Sequence, residues 1–155
     1  MKSNVFSIPL FVYPEYNSAY SYWSLGTSCL FAIILTYILI SGVCKDTYLL
    51  FLFGMVTVLS IVHHTRAYEQ EYTDLIRYVD IFFAVSLGIY LVCTNYQDYM
   101  IYVFVALIGI CFYFIHTIDI PHVKSKIHAI AHVIAILFVL YCVHLSQKVI
   151  PPFNR

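Results

Sequence analysis

A few polar side chains lie inside otherwise apolar stretches of this chain, where polar groups are costly to place. Ser60 and His64 close the second apolar stretch, and Asp80 lies just inside the third. His128 and His132 lie just inside the fifth. If the stretches cross a membrane in alternating directions, all five side chains reach a similar depth near one face. Three imidazoles with one carboxylate and one hydroxyl are typical of a metal site with a catalytic water.

The spacing of these residues supports a shared ion. Ser60 and His64 are four residues apart, as are His128 and His132, so each pair lies on one face of a helix. Two histidines at this spacing can bind one ion, and His64 supplies a third nitrogen. Zinc with three protein ligands keeps a fourth position for water, whose pKa it lowers to about 7. We therefore predict a zinc site at His64, His128 and His132. Asp80 would accept the proton of this water and pass it to the leaving group. Ser60 would hydrogen-bond the developing oxyanion or orient the water.

Each of these residues also has an ordinary structural explanation. A single histidine in a membrane helix is often interfacial, and Asp80 could pair with Arg77, one turn earlier on the same helix. Ser60 could bond to a carbonyl of its own helix. His63 points about 100° away from His64 on a helix and is not expected to share the site. Two further histidines flank the fourth loop as reserve ligands, and one lies near the opposite face: His116, His122 and His144.

The composition places the whole chain in a membrane. Of its 155 residues, 62% are hydrophobic and 10% are charged, with a mean hydropathy of +0.85. A soluble domain of this length could not bury so much apolar surface. The formal net charge is zero, so no nucleic acid partner is expected. The five cysteines are odd in number and show no CxxC spacing, so neither disulfides nor cysteine ligands are predicted.

Five apolar stretches are long enough to cross a bilayer as helices. We predict spans at about 22–43, 47–64, 75–94, 98–118 and 125–147, with all five prolines outside them. The short connections predict an all-α integral membrane bundle forming one domain over residues 1–155. An excess of lysine and arginine on the N-terminal side, five against three, favours that side as cytoplasmic.

The ordered motifs S-x-x-x-H, then D, then H-x-x-x-H resemble the CREST superfamily of membrane hydrolases. They correspond here to Ser60 with His64, Asp80, and His128 with His132. That superfamily includes the alkaline ceramidases, the progestin and adipoQ receptors, and lipid-remodelling proteins. The resemblance implies that the three histidines bind zinc, and that Ser60 and Asp80 lie beside the ligands as supporting and acid/base residues. It also implies hydrolysis of an amide or ester bond in a long-chain membrane lipid, with ceramide as the leading candidate.

The chain departs from that family in its number of spans and at its N-terminus. The family usually has seven spans and five are predicted here, so the site could be shallower or completed by a second copy in a homo-oligomer. Losing an even number of spans preserves the orientation of the last helix. The alkaline ceramidases also carry an acidic N-terminal calcium site, to which only Glu15 and Asn17 correspond. Because calcium takes six to eight oxygen ligands, we do not expect calcium here.

Two other functions are compatible with the same residues. One is a lipid-binding receptor-like or scaffold protein in which the zinc is structural. The other is a membrane haem protein in which His64 pairs with His128 or His132 as axial ligands. Haem absorbs visible light and zinc does not, so an absorbance scan of the purified protein separates these alternatives.

Overall fold

The structure, a computed structural model, describes residues 22–68 and 74–149. Glu15 and Asn17, the residues considered for calcium, lie outside the described residues. The described chain forms five α-helices and confirms the predicted all-α fold class. They are α1 (Tyr22–Ser41), α2 (Thr47–Tyr68), α3 (Asp74–Asn95), α4 (Tyr99–Thr117) and α5 (Pro121–Val149).

Local sequence signals set several helix ends. Gly42 follows α1 with φ of 61°, a left-handed conformation that glycine adopts at little cost after a helix. Asp46 precedes α2, and its Oδ1 accepts hydrogen bonds from the backbone N–H groups of Tyr48 and Leu49. Helix α5 begins at Pro121, a position where the missing proline N–H costs nothing.

Helices α2 and α5 each extend about one turn beyond the predicted span at the end that carries the site, so the histidines lie further from these helix ends than predicted. Helix α2 continues to Tyr68, so His64 lies one turn inside the helix and not at its last residue. Helix α5 begins at Pro121, four residues before the predicted start, which places His128 about two turns inside. Both extensions include polar residues, among them Thr65 and His122, so the apolar stretches end before the helices do.

Helix α1 packs against both α2 and α5. Helix α3 packs on the other side of α2, α4 packs on α5, and α3 makes sparser contacts with α4 and α5. The buried core runs through the middle of the bundle and draws on all five helices, with Phe31, Ile38, Phe53, Leu91, Ile101 and Val139 among its most buried members. Helix α1 is thus placed between the two helices that carry the histidines.

All five helices are long and apolar enough to cross a membrane. Many large apolar side chains remain exposed along them, including Ile33 and Ile40 on α1, Phe82 on α3 and Tyr113 on α4. Such a surface suits contact with lipid, because the hydrocarbon tails of a bilayer are as apolar as these side chains. The arrangement is consistent with a multi-pass integral membrane protein, as the sequence predicted.

Asp98, the N-cap residue of α4, connects α4 to α5 at the end of the bundle opposite the site. Asp98 accepts a hydrogen bond from the backbone N–H of Met100 at 2.9 Å and one from the Tyr141 hydroxyl of α5 at 2.8 Å. We expect Asp98→Ala to lower the free energy of unfolding by about 1 kcal/mol, because both donors lose their acceptor. Thermal unfolding in micelles measures this change. Asp98→Asn, which keeps a capping oxygen, should lose less, and equal losses would show that the cap contributes nothing.

Candidate metal centre

Three imidazoles from two helices converge in one layer of the bundle. One ligand atom from each of His64, His128 and His132 lies within 4.8 Å of the other two. The ring centroid of His64 lies 5.1 Å from that of His128 and 5.3 Å from that of His132. His128 and His132 are one turn apart on α5, with ring centroids separated by 4.6 Å. These three residues, all predicted as ligands, form a cluster that could hold a metal ion.

The separation of the α5 nitrogens matches that of two ligands of one ion. Nε2 of His128 lies 3.1 Å from Nε2 of His132. Two nitrogens bound to one tetrahedral zinc at 2.0–2.1 Å are about 3.3 Å apart. All three ligand atoms lie within 4.8 Å of one another, so a tetrahedral site would require the rings to draw somewhat closer together.

The three histidines lie in a gap between α2 and α5, where the side chains of the two helices meet and their backbones do not. Among the described residues, no Cα atom of α2 comes within 8 Å of a Cα atom of α5. The rings of His64 and His128 bridge this gap, because an imidazole extends several ångströms beyond its backbone. Helix α1 packs against both helices and so connects the two sides of the gap.

His64 is the most deeply placed member of the cluster. Its side chain is fully buried, and neither ring nitrogen has a hydrogen-bond partner among the described residues. A buried polar group without a partner costs about 1–3 kcal/mol. His128 and His132 are partly buried as whole residues, whereas His64 is fully buried. A buried imidazole that makes no hydrogen bond to the described residues keeps a ring-nitrogen lone pair available for a cation.

Helix α1 contributes to the site, a role that the sequence analysis missed. Thr27 Oγ1 lies 2.9 Å from Nδ1 of His132, and the Phe31 ring packs against the His132 ring at 5.3 Å between centroids. The cluster Ser24, Thr27 and Ser28, at spacings of three and four in an apolar helix, was the signal available in the sequence. Serine and threonine commonly bond to carbonyls of their own helix, so this spacing does not by itself indicate a site.

Ser60 is bonded to another helix and not to a histidine. Its Oγ lies 2.8 Å from Oγ of Ser28, whose Oγ also lies 2.8 Å from the backbone carbonyl of Ser24. A carbonyl can only accept, so the single Ser28 proton goes to Ser24 and the Ser60 hydroxyl donates to Ser28. Ser60 then offers lone pairs to any further partner. Of its two predicted roles, this polarity favours orienting a water over donating to an oxyanion.

Asp80 is not brought into the cluster of ligand atoms. Its side chain is half-buried, and within the described residues it makes neither an ion pair with Arg77 nor a hydrogen bond. The expected alternative of an Asp80–Arg77 pair is therefore absent from this part of the chain. Arg77 is instead buried close enough to His63 and His128 to interact with them electrostatically.

The remaining histidines lie outside the three-residue cluster. The His63 ring contacts that of His64 edge to face, with 4.8 Å between centroids, although its nitrogen is not part of the set. His116 and His122, the reserve ligands, are exposed, as is His144 near the far end of α5. The structure therefore selects the same three histidines that were predicted from the sequence.

The comparisons with known proteins add no relative. No family model, no curated protein and no solved structure matches this chain. The resemblance to the CREST superfamily therefore stays a prediction that rests on the five motif residues.

Proposed function

We propose that this protein is a zinc-dependent hydrolase that cleaves an amide or ester bond of an acyl lipid within the membrane. His64, His128 and His132 hold the zinc, and the lipid reaches the site from the surrounding bilayer. A ceramide-like amide is the leading substrate class, as the motif resemblance implies.

The observation that supports this proposal is the convergence of three imidazoles inside apolar helices around one small volume. Intramembrane ionisable residues are expensive and are usually retained for function. The burial of His64 without a hydrogen-bond partner adds to this, because the cost has no structural return among the described residues.

The donor set suits zinc, since neutral imidazole is a preferred zinc ligand and three such ligands define an open site. A bound zinc ion supplies a Lewis acid and lowers the pKa of a coordinated water. Ser60 would orient a water through its lone pairs, one turn from His64 on α2. Asp80 would accept a proton, a role compatible with its having neither an ion pair nor a hydrogen bond among the described residues. The apolar faces of the helices receive the acyl chain.

Metal analysis and a lipid panel together test the proposal. Protein purified in micelles without chelator is expected to contain about one zinc per chain. It should release fatty acid from at least one member of a panel of ceramides, lysolipids and diacyl lipids, and lose that activity after chelation. Zinc at full occupancy with no release from any lipid would reject the hydrolase and leave a structural metal site.

The role of Asp80 is tested by Asp80→Asn. We expect this variant to keep its zinc and to lose turnover by a factor on the order of 10²–10⁴, because proton transfer loses its acceptor. Fatty acid release and metal content are measured on the same preparation. Asp119→Asn, in an exposed position between α4 and α5, serves as the matched control and should change neither quantity. Unchanged turnover in Asp80→Asn would remove Asp80 from the mechanism.

A lipid-binding receptor-like or scaffold protein with a structural zinc is the second candidate. The observation in its favour is that Asp80 is not among the converging atoms and that Ser60 is bonded to Ser28. A structural site needs neither residue. The ring contacts disfavour the haem alternative, because the His64 ring meets those of His128 and His132 edge to face and a macrocycle would need the space between them.

A further inference from the structure

We propose that Thr27 of α1 is a positioning residue that holds His132 in the tautomer whose Nε2 lone pair faces the other two imidazoles. This inference builds on the proposed metal centre. It assigns to the first helix a role in the site that the predicted motifs on α2, α3 and α5 do not include.

The number of protons on the Thr27 hydroxyl determines the direction of the hydrogen bond. Thr27 Oγ1 lies 3.1 Å from the Trp23 carbonyl, 3.0 Å from the Ser24 carbonyl and 2.9 Å from Nδ1 of His132. Both carbonyls can only accept, so the single hydroxyl proton is directed towards them. The remaining contact then requires Nδ1 of His132 to donate its proton to Oγ1.

A proton on Nδ1 leaves the lone pair of neutral His132 on Nε2. That nitrogen lies 3.1 Å from Nε2 of His128, on the side of the ring where the three ligand atoms converge. Hydrogen bonds of this kind to the far nitrogen of a ligating histidine fix its tautomer and ring orientation. Thr27 thus fixes the tautomer and ring orientation of His132 in the metal-free protein.

Further contacts keep α1 in register with α5 around this bond. The Phe31 ring, one turn further along α1, packs against the His132 ring and is itself 3% exposed. Near the start of both helices, the Lys126 ammonium lies 5.9 Å from the centre of the Trp23 ring. The position of Thr27 relative to His132 is therefore supported on both sides along the helix.

The test combines metal affinity with a measurement on the metal-free protein. Zn²⁺ affinity is determined by competition with a chromophoric chelator, for which we expect Thr27→Val to bind about 10–100-fold more weakly than wild type. In parallel, ¹⁵N spectra of histidine-labelled apoprotein report which ring nitrogen carries the proton. We expect the His132 signal of the wild type to be that of an Nδ1-protonated ring, a preference that Thr27→Val loses.

Two variants separate positioning from general stability. Thr27→Ser keeps the hydroxyl and should restore both the affinity and the ¹⁵N signal. Thr57→Val removes a buried threonine hydroxyl whose hydrogen bond within the described helices goes to the Phe53 carbonyl of α2, and should change neither. If Thr27→Val keeps wild-type affinity and the same tautomer, the inference is overturned. A wild type that binds no Zn²⁺ would instead reject the metal centre, while the apoprotein spectra would still decide the role of Thr27.

Discussion

His132→Ala is expected to reduce bound zinc from about one ion per chain to almost none. The variant removes one of three nitrogens, and the two that remain come from different helices whose Cα atoms stay more than 8 Å apart. It also removes the closest pair of the site, the two Nε2 atoms at 3.1 Å. Elemental analysis of protein purified without chelator measures the loss, and fatty acid release should fall with it.

The control for this prediction lies on the same helix. His144 is exposed near the opposite end of α5 and belongs to no ligand set among the described residues, so His144→Ala should keep full zinc occupancy. Size-exclusion profiles of both variants show whether the bundle stays folded. Full occupancy in a folded His132→Ala variant would remove His132 from the site and with it the proposed centre.

His64→Leu is expected to abolish zinc binding and, at the same time, to stabilise the metal-free protein. The imidazole is fully buried, and its two nitrogens have no hydrogen-bond partner in the described part of the chain. A leucine of similar volume removes that unsatisfied polarity without a large cavity, which should raise the free energy of unfolding by about 1–3 kcal/mol. Thermal unfolding of chelator-treated protein in micelles measures the gain.

The matched comparison is His132→Leu, which should lose zinc without the same gain in stability. Its Nδ1 is hydrogen-bonded to Thr27, so the leucine leaves the threonine hydroxyl with one partner fewer. If His64→Leu lowers the free energy of unfolding of the apoprotein by as much as His132→Leu does, the buried imidazole has a structural role in the apoprotein. Opposite signs for the two variants would indicate that His64 is kept for a ligand at a cost in stability.

The candidate ligands could be found from the sequence because the membrane simplifies the problem. Polar residues are rare in apolar helices, so His64, His128 and His132 stand out, and alternating helix directions fix their depth. The i, i+4 spacing on α5 determines that two rings share a face. None of this requires knowledge of which helices are neighbours.

The supporting residues could not be found in the same way. The placement of Thr27 and Ser28 against the site depends on α1 lying between α2 and α5, which no sequence pattern specifies. The expectation for Asp80 relied on depth alone. Depth leaves the rotation of α3 undetermined, and the structure places the carboxylate outside the cluster. Side-to-side packing, unlike depth, depends on the fit of all five helices at once.

The sequence by itself therefore determined a five-helix membrane bundle and the three imidazoles at one level within it, since hydrophobic length and helical periodicity are local properties of the chain. Only the tertiary structure decided that α1 supplies hydroxyls to His132 and Ser60, and that the buried His64 ring makes no hydrogen bond to any described residue. Those features arise from contacts between residues up to 105 positions apart, which exist only after the helices have packed.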